Sequence, residues 1–599
     1  MSPEFHYTDE KNCQIVIALL KAHGIRKVIA NPGTTNMAFV GSVQNDPWFQ
    51  VYSGIDERHS AYMAVGMAAE CGEPVVLSCT GATASRNYLP ALTEAYYRKL
   101  PILALTSTQV LSRVGQLWPQ TIDRSVQPKD TVRYSVVCNP VQNEADKVVC
   151  ERNVNAAILE LRRHGGGPVH INLVQTYLGT YNTVTLPKVR KVERWFVDDH
   201  RTWPEIKADP RVVIWLGSRN YANEEATQFE NESVAAFASR YETVVVCDKT
   251  SAYSGPNRVD ASLLCSQPVR GNPQFALLRP GLIIYSGEVT GDYPSLFFMN
   301  GWAEVWRVAE DGELRDTLSY TSNIFEMSLA NFCRHYGLSG AADVGCAKAE
   351  FAQSWKDAIL MVAEKIPDLP FSNPWIAGQL YSRLPHGCEL HLGILNTLRS
   401  WNYFPVDSSI RTYCNVGGFG IDGCLSTLIG GSIAKTGKLH FGVIGDLSFF
   451  YDLNALGNRH IGSNLRILLI NNGCGTEFRN FCHPAHIFGE QANDYIAAGG
   501  HFKNQSRDLV KHYATDLGFR YLSADDKGSF GRAMDIFLSA DSEQSIVLEC
   551  FTNPKLESDA QYLMMHLEES VAPNGKSLKQ MAKAVIPQRV KNAMKELMK

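Results

Sequence analysis

Two largely apolar runs, each ended abruptly by a polar residue, constrain this chain most. Leu439-His-Phe-Gly-Val-Ile-Gly445 ends on Asp446, and Leu465-Arg-Ile-Leu-Leu-Ile470 ends on Asn471-Asn472. Runs this short and this apolar read as buried parallel strands, which need helical crossovers and cover on both faces. Between them Ser448-Phe-Phe-Tyr-Asp-Leu-Asn-Ala-Leu456 reads as a helix whose N-terminus faces the same crevice. Two adjacent strand ends and a helix N-terminus, at Gly445-Asp446-Leu447-Ser448 and Asn472, form a natural seat for a metal-bound diphosphate. Mg²⁺ takes hard oxygen ligands and keeps phosphate oxygens in its shell. Asp446, the amide oxygen of Asn472 and the backbone carbonyl near Cys474 would supply the protein's share. A plain strand–helix–strand unit with polar caps would also explain Gly-Asp alone; the paired Asn-Asn at this spacing favours the clip.

The same punctuation recurs along the chain. In residues 8–185, Ile15-Val-Ile-Ala-Leu-Leu-Lys-Ala-His23 is read as an amphipathic helix. Val28-Ile-Ala30 is a short strand opening onto Asn31-Pro-Gly-Thr-Thr35, and Val75–Cys79, Ile102–Thr106 and Val169–Val174 read as buried strands. This is a doubly wound pattern. Residues 186–205 are charged, lack periodicity and read as a linker. Residues 206–345 form a second α/β unit, with strands at Val212–Gly217, Thr243–Asp248 and Leu282–Gly287. Residues 346–370 read as a helix and a further linker, 371–560 as the third unit, and 561–599 as a Lys-rich helical tail.

The 599 residues exceed what one core supports and suggest three domains. A net charge of −4 gives no reason to expect nucleic acid or an anionic membrane as partner. No stretch is long and apolar enough to span a bilayer, and the first residues lack the basic and apolar regions of a secretory signal. The 15 cysteines are scattered without a Cys-x-x-Cys pair and read as reduced core residues of a cytoplasmic protein.

The Gly445-Asp446 to Asn471-Asn472 segment resembles the thiamine diphosphate (ThDP) fingerprint. Asn415-Val-Gly-Gly-Phe-Gly-Ile-Asp-Gly-Cys-Leu-Ser-Thr427, Asp56-Glu-Arg-His-Ser60 and Cys79-Thr-Gly-Ala-Thr-Ala-Ser-Arg86 extend the likeness, in the same order and spacing, to the menaquinone-pathway synthases that join 2-oxoglutarate to isochorismate. The resemblance covers most of 10–185 and 375–555. It implies an α/β architecture of three doubly wound parallel-sheet domains: pyrimidine-binding (1–185), central (206–345) and diphosphate- and Mg-binding (371–560). It implies ThDP and Mg²⁺ as cofactors, and a homodimer or homotetramer with active sites at subunit interfaces.

The resemblance also assigns roles. Glu57, which by itself would read as a helix-capping carboxylate, matches the glutamate that contacts N1′ of the aminopyrimidine; buried, with a raised pKa, it would share a proton there. Ile421, preceded by Gly420, matches the bulky residue that wedges beneath the cofactor. Thr80 and Gly81 match the turn near the reacting centre, and Gln120 a glutamine beside it. His483 and His486, just past the clip, are acid–base candidates between which the sequence does not choose. Departures matter too. Thr35 stands where the family carries an arginine, Val416 at a second such place and Trp401, close to Arg399, at a third. Those arginines hold substrate carboxylates, for which a planar bidentate donor matters, so their loss implies a less anionic donor or acceptor.

The activity this implies is decarboxylation of a 2-oxo acid and transfer of the acyl-carbanion equivalent to a carbonyl or alkene acceptor. A simple 2-oxo acid decarboxylase releasing an aldehyde is the alternative, and a non-catalytic ThDP-binding protein is an alternative of another class.

Overall fold

The computed structural model describes residues 6–206, 211–220, 224–268, 273–338, 349–500 and 506–568. The strands come in three groups. The first is β1 (Lys27–Ala30), β2 (Gln50–Ser53), β3 (Val75–Cys79), β4 (Ile102–Thr108), β5 (Tyr134–Cys138) and β6 (Val169–Val174). The second is β7 (Glu193–Phe196), β8 (Val212–Leu216), β9 (Val244–Cys247), β10 (Arg258–Asp260), β11 (Leu282–Ser286), β12 (Glu304–Val308) and β13 (Thr321–Glu326). The third is β14 (Glu389–Leu392), β15 (Arg411–Cys414), β16 (His440–Gly445), β17 (Leu465–Asn471), β18 (Arg520–Ala524) and β19 (Ile546–Phe551).

Contacts divide the chain into two compact units, Met1–Trp203 with Val305–Met327, and Pro204–Glu304 with Ser328–Lys599. The first unit holds a six-stranded sheet of order β2-β1-β3-β4-β6-β5. Its ladders are parallel, and β3, β4 and β6 are buried along their whole length, as helices on both faces of a parallel sheet require. The helix Lys11–Ala22 differs from expectation: Asn12 through Leu20 are all buried, so it is not amphipathic. It shares a core with Val28, Phe39, Cys150 and Val154, and its one buried polar side chain facing the sheet, Asn12, donates to the carbonyls of Cys138 and Val174 at 3.1 and 2.7 Å.

The segment read as a linker carries a strand. β7 runs parallel to β13, with Asn323 opposite Glu193 and Glu326 opposite Phe196. Val192 and Trp195 are buried, and the charge that hid the strand is satisfied internally. Arg194, 6% exposed, donates to Glu160 at 2.9 Å and to the carbonyls of Gly312 and Leu159.

In the second unit β8–β11 lie in the order β10-β9-β8-β11, and the third group in the order β15-β14-β16-β17-β19-β18, again with parallel ladders. Counted within its own group, that order repeats the first sheet's strand for strand. Each sheet therefore reverses winding direction beside its first strand, and it is there that the carboxyl ends of a doubly wound sheet open a crevice. β17 is buried throughout and packs with the helix Cys424–Ala434 in one core. The helix at Ala349–Ala363 agrees with expectation. Of the C-terminal tail, the start falls in the helix Pro554–Met565, and the Lys-rich stretch lies outside the described residues. Among the described residues no helix is long and apolar enough to cross a membrane, and no cysteine is in a disulfide.

Candidate functional site

At the end of β16, Gly445 leads into the helix Asp446–Tyr451. Asp446 is 4% exposed. One carboxylate oxygen accepts from the Leu447 amide at 2.8 Å; the other accepts from the amides of Asn472 at 3.2 Å and Gly473 at 2.6 Å. Gly473 has φ +79°, a conformation glycine adopts without strain. The turn after β17 thus folds back onto the end of β16 and brings together the two halves of the sequence motif. Burial pushes the Asp446 carboxyl up to about 6, opposed only by main-chain amides. A buried carboxylate with no basic side chain against it among the described residues is the environment a divalent cation neutralises. The residues fit Mg²⁺: Asp446, the Asn472 amide oxygen, which accepts the Cys474 amide at 3.4 Å, and the Cys474 carbonyl. The Cys474 thiol is buried and pushed up to about 11.

Alternation along β17 separates the two asparagines. Asn471 donates to Glu549 at 2.6 Å, and Tyr521 donates to the same carboxylate at 2.7 Å. Asn471 is therefore a brace, and Asn472 is left to the clip. The loop carrying Gly420 and Ile421 is tied down on both sides. Ser448 donates to the Ile421 carbonyl at 2.5 Å, and Asp452 accepts from the Ser426 amide and hydroxyl at 2.5 and 2.6 Å. Phe419, next to Gly420, is a non-glycine residue at φ +55°, and Leu395, before the helix Asn396–Asn402, has φ +68°, ψ −116°. Such strain persists where the surroundings hold it.

The arginine positions read from the sequence come out as follows. Trp401 and Val416 are buried in the core. Arg399 forms a bidentate pair with Glu477 at 2.9 and 3.0 Å, and Asn396 accepts from Arg399 at 2.8 Å and from Asn480 at 2.7 Å. Although burial disfavours both charges, each partner holds the other ionised: Arg399 above the usual arginine range, Glu477 below the usual carboxylate range. Sequence reading missed this network; an unassigned Glu477 just after Cys474 was its only signal. His483 and His486 differ in tautomer by their partners. The His483 Nδ1 accepts from the Ala485 amide at 3.0 Å. The His486 Nδ1 lies 3.0 Å from the Arg479 carbonyl and must donate to it.

In the first unit, the turn after β1 and the turn after β3 meet. Thr35 and Thr80 share a 2.5 Å hydroxyl contact, and a Cβ at Gly33 would fall 2.5 Å from the Thr80 Cβ, so only glycine fits. Asn31 is held by Tyr88 and itself holds Ser60 and the Gly54 carbonyl. A Cβ at Gly81 would lie 2.9 Å from the Gln120 carbonyl; Thr80, Gly81 and Gln120 are thus neighbours, with Gln120 exposed at φ +59°. Ala82, the next residue, has φ 50°, ψ −127°, nearly the conformation of Leu395 in the second unit. Glu57 opens the helix Glu57–Cys71, but the cap is Asp56, which accepts from the His59 amide at 2.8 Å. The Glu57 carboxylate, half-buried in the single chain, is spared capping duty.

Against known families, residues 11–127 match the model of the thiamine pyrophosphate enzyme N-terminal TPP-binding domain. The chain is 31% identical to 2-succinyl-5-enolpyruvyl-6-hydroxy-3-cyclohexene-1-carboxylate synthase of Phocaeicola vulgatus, over 92% of this chain and 97% of that protein. It is 32% identical to the synthase of the same name from Bacteroides thetaiotaomicron (91% and 97%), and 28% identical to that from Flavobacterium johnsoniae (91% and 96%).

Proposed function

The chain belongs to the 2-succinyl-5-enolpyruvyl-6-hydroxy-3-cyclohexene-1-carboxylate synthase family of thiamine diphosphate enzymes, and from that premise we propose that it is a Mg²⁺-assisted carboligase which decarboxylates a 2-oxo acid and passes the acyl unit to a carbonyl or alkene acceptor. The observation that carries this reading is the buried Asp446 carboxylate, aimed by the turn after β17 and without a basic side chain against it.

When bound, ThDP supplies the electron sink for cleaving the carboxyl group. The protein's part is to hold and to move protons. Asp446, Asn472 and the Cys474 carbonyl would hold Mg²⁺; the Gly445–Ser448 turn would orient the diphosphate; Ile421 would support the rings. Glu57 would share a proton with N1′ of the pyrimidine. Thr80, Gly81 and Gln120 line the reacting centre. His483, whose Nδ1 accepts from the Ala485 amide, and His486, whose Nδ1 donates to the Arg479 carbonyl, are the acid–base candidates. Because Glu57 lies half-buried in the single chain, we assign it to a site completed by a second subunit, in a cytoplasmic homodimer or homotetramer. The partition into 1–185, 206–345 and 371–560, with a tail at 561–599, is retained as the domain proposal; the matching strand orders of the first and third sheets support it.

The residues at the former arginine positions support a less anionic donor or acceptor. Thr35 is neutral, Val416 and Trp401 are core residues, and the Arg399 guanidinium is paired with Glu477. A donor or acceptor with fewer carboxylates follows.

The test is carbon dioxide release from a panel of 2-oxo acids with ThDP and Mg²⁺, with and without aldehyde or enone acceptors, for wild type and Glu57→Gln. The expected outcome is release by the wild type, product formation with an acceptor, and a loss of about 10²-fold or more in Glu57→Gln with ThDP binding retained. Aldehyde release unaffected by any acceptor would replace the carboligase reading with a simple decarboxylase. Failure of the wild type to bind ThDP would overturn the proposal entirely.

A further inference from the structure

One strongly basic group in the first unit has no role in the reaction just described. Arg124 is 3% exposed. Its Nη2 donates to the Ser107 carbonyl at 2.9 Å, while Nε and Nη1 are buried without a hydrogen-bond partner. The buried Arg466 also leaves its Nε unpaired but donates to three carbonyls, those of Ser463, Leu465 and Ser539. Arg124 reaches only one.

Arg124 lines a cavity of about 10 Å³, together with Arg86, Tyr88, Thr106, Gln127 and His170. That is the room of a single water-sized particle. Nothing lining the cavity is negative. His170 is neutral and engaged at both nitrogens, by Thr106 at 2.7 Å and Ser135 at 2.8 Å. Thr106 passes its own proton to Asn172, and Tyr88 donates to Asn31. The nearby Cys79 thiol, pushed up to about 12 by burial, stays protonated. Arg86 is exposed, with one nitrogen on the Asp123 carbonyl, and its charge is offset by the nearby Asp123 carboxylate rather than by any group inside the cavity. An uncompensated buried charge costs several kcal/mol, and burial pulls the Arg124 guanidinium down to about 10.

We propose that this cavity is a binding site for one small monovalent anion of the halide class, held by Arg124 Nε and Nη1. The anion supplies the missing counter-charge and completes the donor geometry. It also anchors the crevice from behind. Ser107 O, which Arg124 holds, accepts from Thr35 at 3.4 Å as well, and a Cβ at Gly81 would lie 4.0 Å from Arg124 Nη2. The guanidinium thus sits directly beneath the Gly81–Gln120 contact.

The test uses the full chain without added cofactor, at constant ionic strength, exchanging sodium gluconate for sodium chloride or bromide. Expected is a saturable rise in Tm of about 2–4 °C that disappears in Arg124→Gln. Crystals of the wild type grown in bromide should show an anomalous peak within hydrogen-bonding distance of Arg124 Nε and Nη1. The diffraction arm decides the matter if Arg124→Gln does not fold. Overturning results are a flat halide titration of the wild type, a shift that persists in a folded Arg124→Gln, or cavity density that carries no anomalous signal and refines as water.

Discussion

Single residues here take their chemistry from what surrounds them. Asp446 and Glu477 are both buried carboxylates, yet they lie on opposite sides of the ordinary range. Asp446 meets only amides and is pushed up to about 6, whereas Glu477 faces Arg399 and is held low. The first is suited to a metal; the second cancels a cation that could otherwise have held a substrate carboxylate. His170 yields a prediction of its own. Burial, reinforced by Arg124 and Arg86, holds its pKa down to about 3, against an ordinary value of about 6.5. Between those values the unfolded chain binds a proton that the folded chain refuses, so stability rises with pH through the window and is lost as pH falls. The full effect is roughly 5 kcal/mol. The wild-type Tm should therefore fall more steeply between about pH 6.5 and 4 than that of His170→Gln. Parallel slopes would show that His170 is not held neutral.

At the scale of elements, the site depends on how a helix seats on a strand. The helix Cys424–Ala434 carries the Ile421 loop at its head and lies against β16. A Cβ at Gly442 of β16 would fall 2.2 Å from Leu428 Cδ2, and Leu428 is fully buried. Glycine permits a close approach here. Gly442→Val must lift the helix, and overpacking of this kind costs about 1–3 kcal/mol. Because Ser448 and Asp452 tether the same segment to the clip, ThDP affinity should fall along with the urea midpoint. A change in midpoint with ThDP affinity intact would uncouple the helix seat from the site. The strands themselves were legible as apolar runs, and β3 spans the residues the sequence indicated, Val75–Cys79. β7 was not, because its buried charge, Arg194, is paired with Glu160, which lies distant in sequence. The helix Lys11–Ala22 misled in the other direction: its Lys and His residues suggested a wet face where the fold supplies a second packing surface.

For the molecule as a whole, the edge beside Glu57 is informative. β2 is exposed along its length, and Ile55, two residues before Glu57, is 85% exposed, with Tyr52 and Tyr62 also exposed. Clustered exposed apolar groups mark interaction surfaces, and a second copy of the chain is the occupant that the proposed shared site requires. Ile55→Asp should shift the sedimenting species from dimer or larger toward monomer and reduce carbon dioxide release in proportion, with an unchanged far-UV spectrum. A wild type that sediments as an active monomer would contradict the shared site.

Much of this protein is local in sequence. The apolar runs, the glycine-bearing turns after them, and the Asp446 and Asn472 halves of the clip follow from short-range pattern, because a parallel strand must be apolar on both faces and must stop at a polar turn. The common strand order of the first and third sheets, the division of labour between Asn471 and Asn472, the transfer of capping from Glu57 to Asp56, and the pairing that silences Arg399 were decided by tertiary structure alone. Each depends on which distant groups arrive within hydrogen-bonding distance, and no residue carries that information in its neighbours along the chain. The buried Arg124 is the clearest case. In sequence it is one arginine in a polar loop; in the fold it is a buried charge with no counter-charge against it among the described residues.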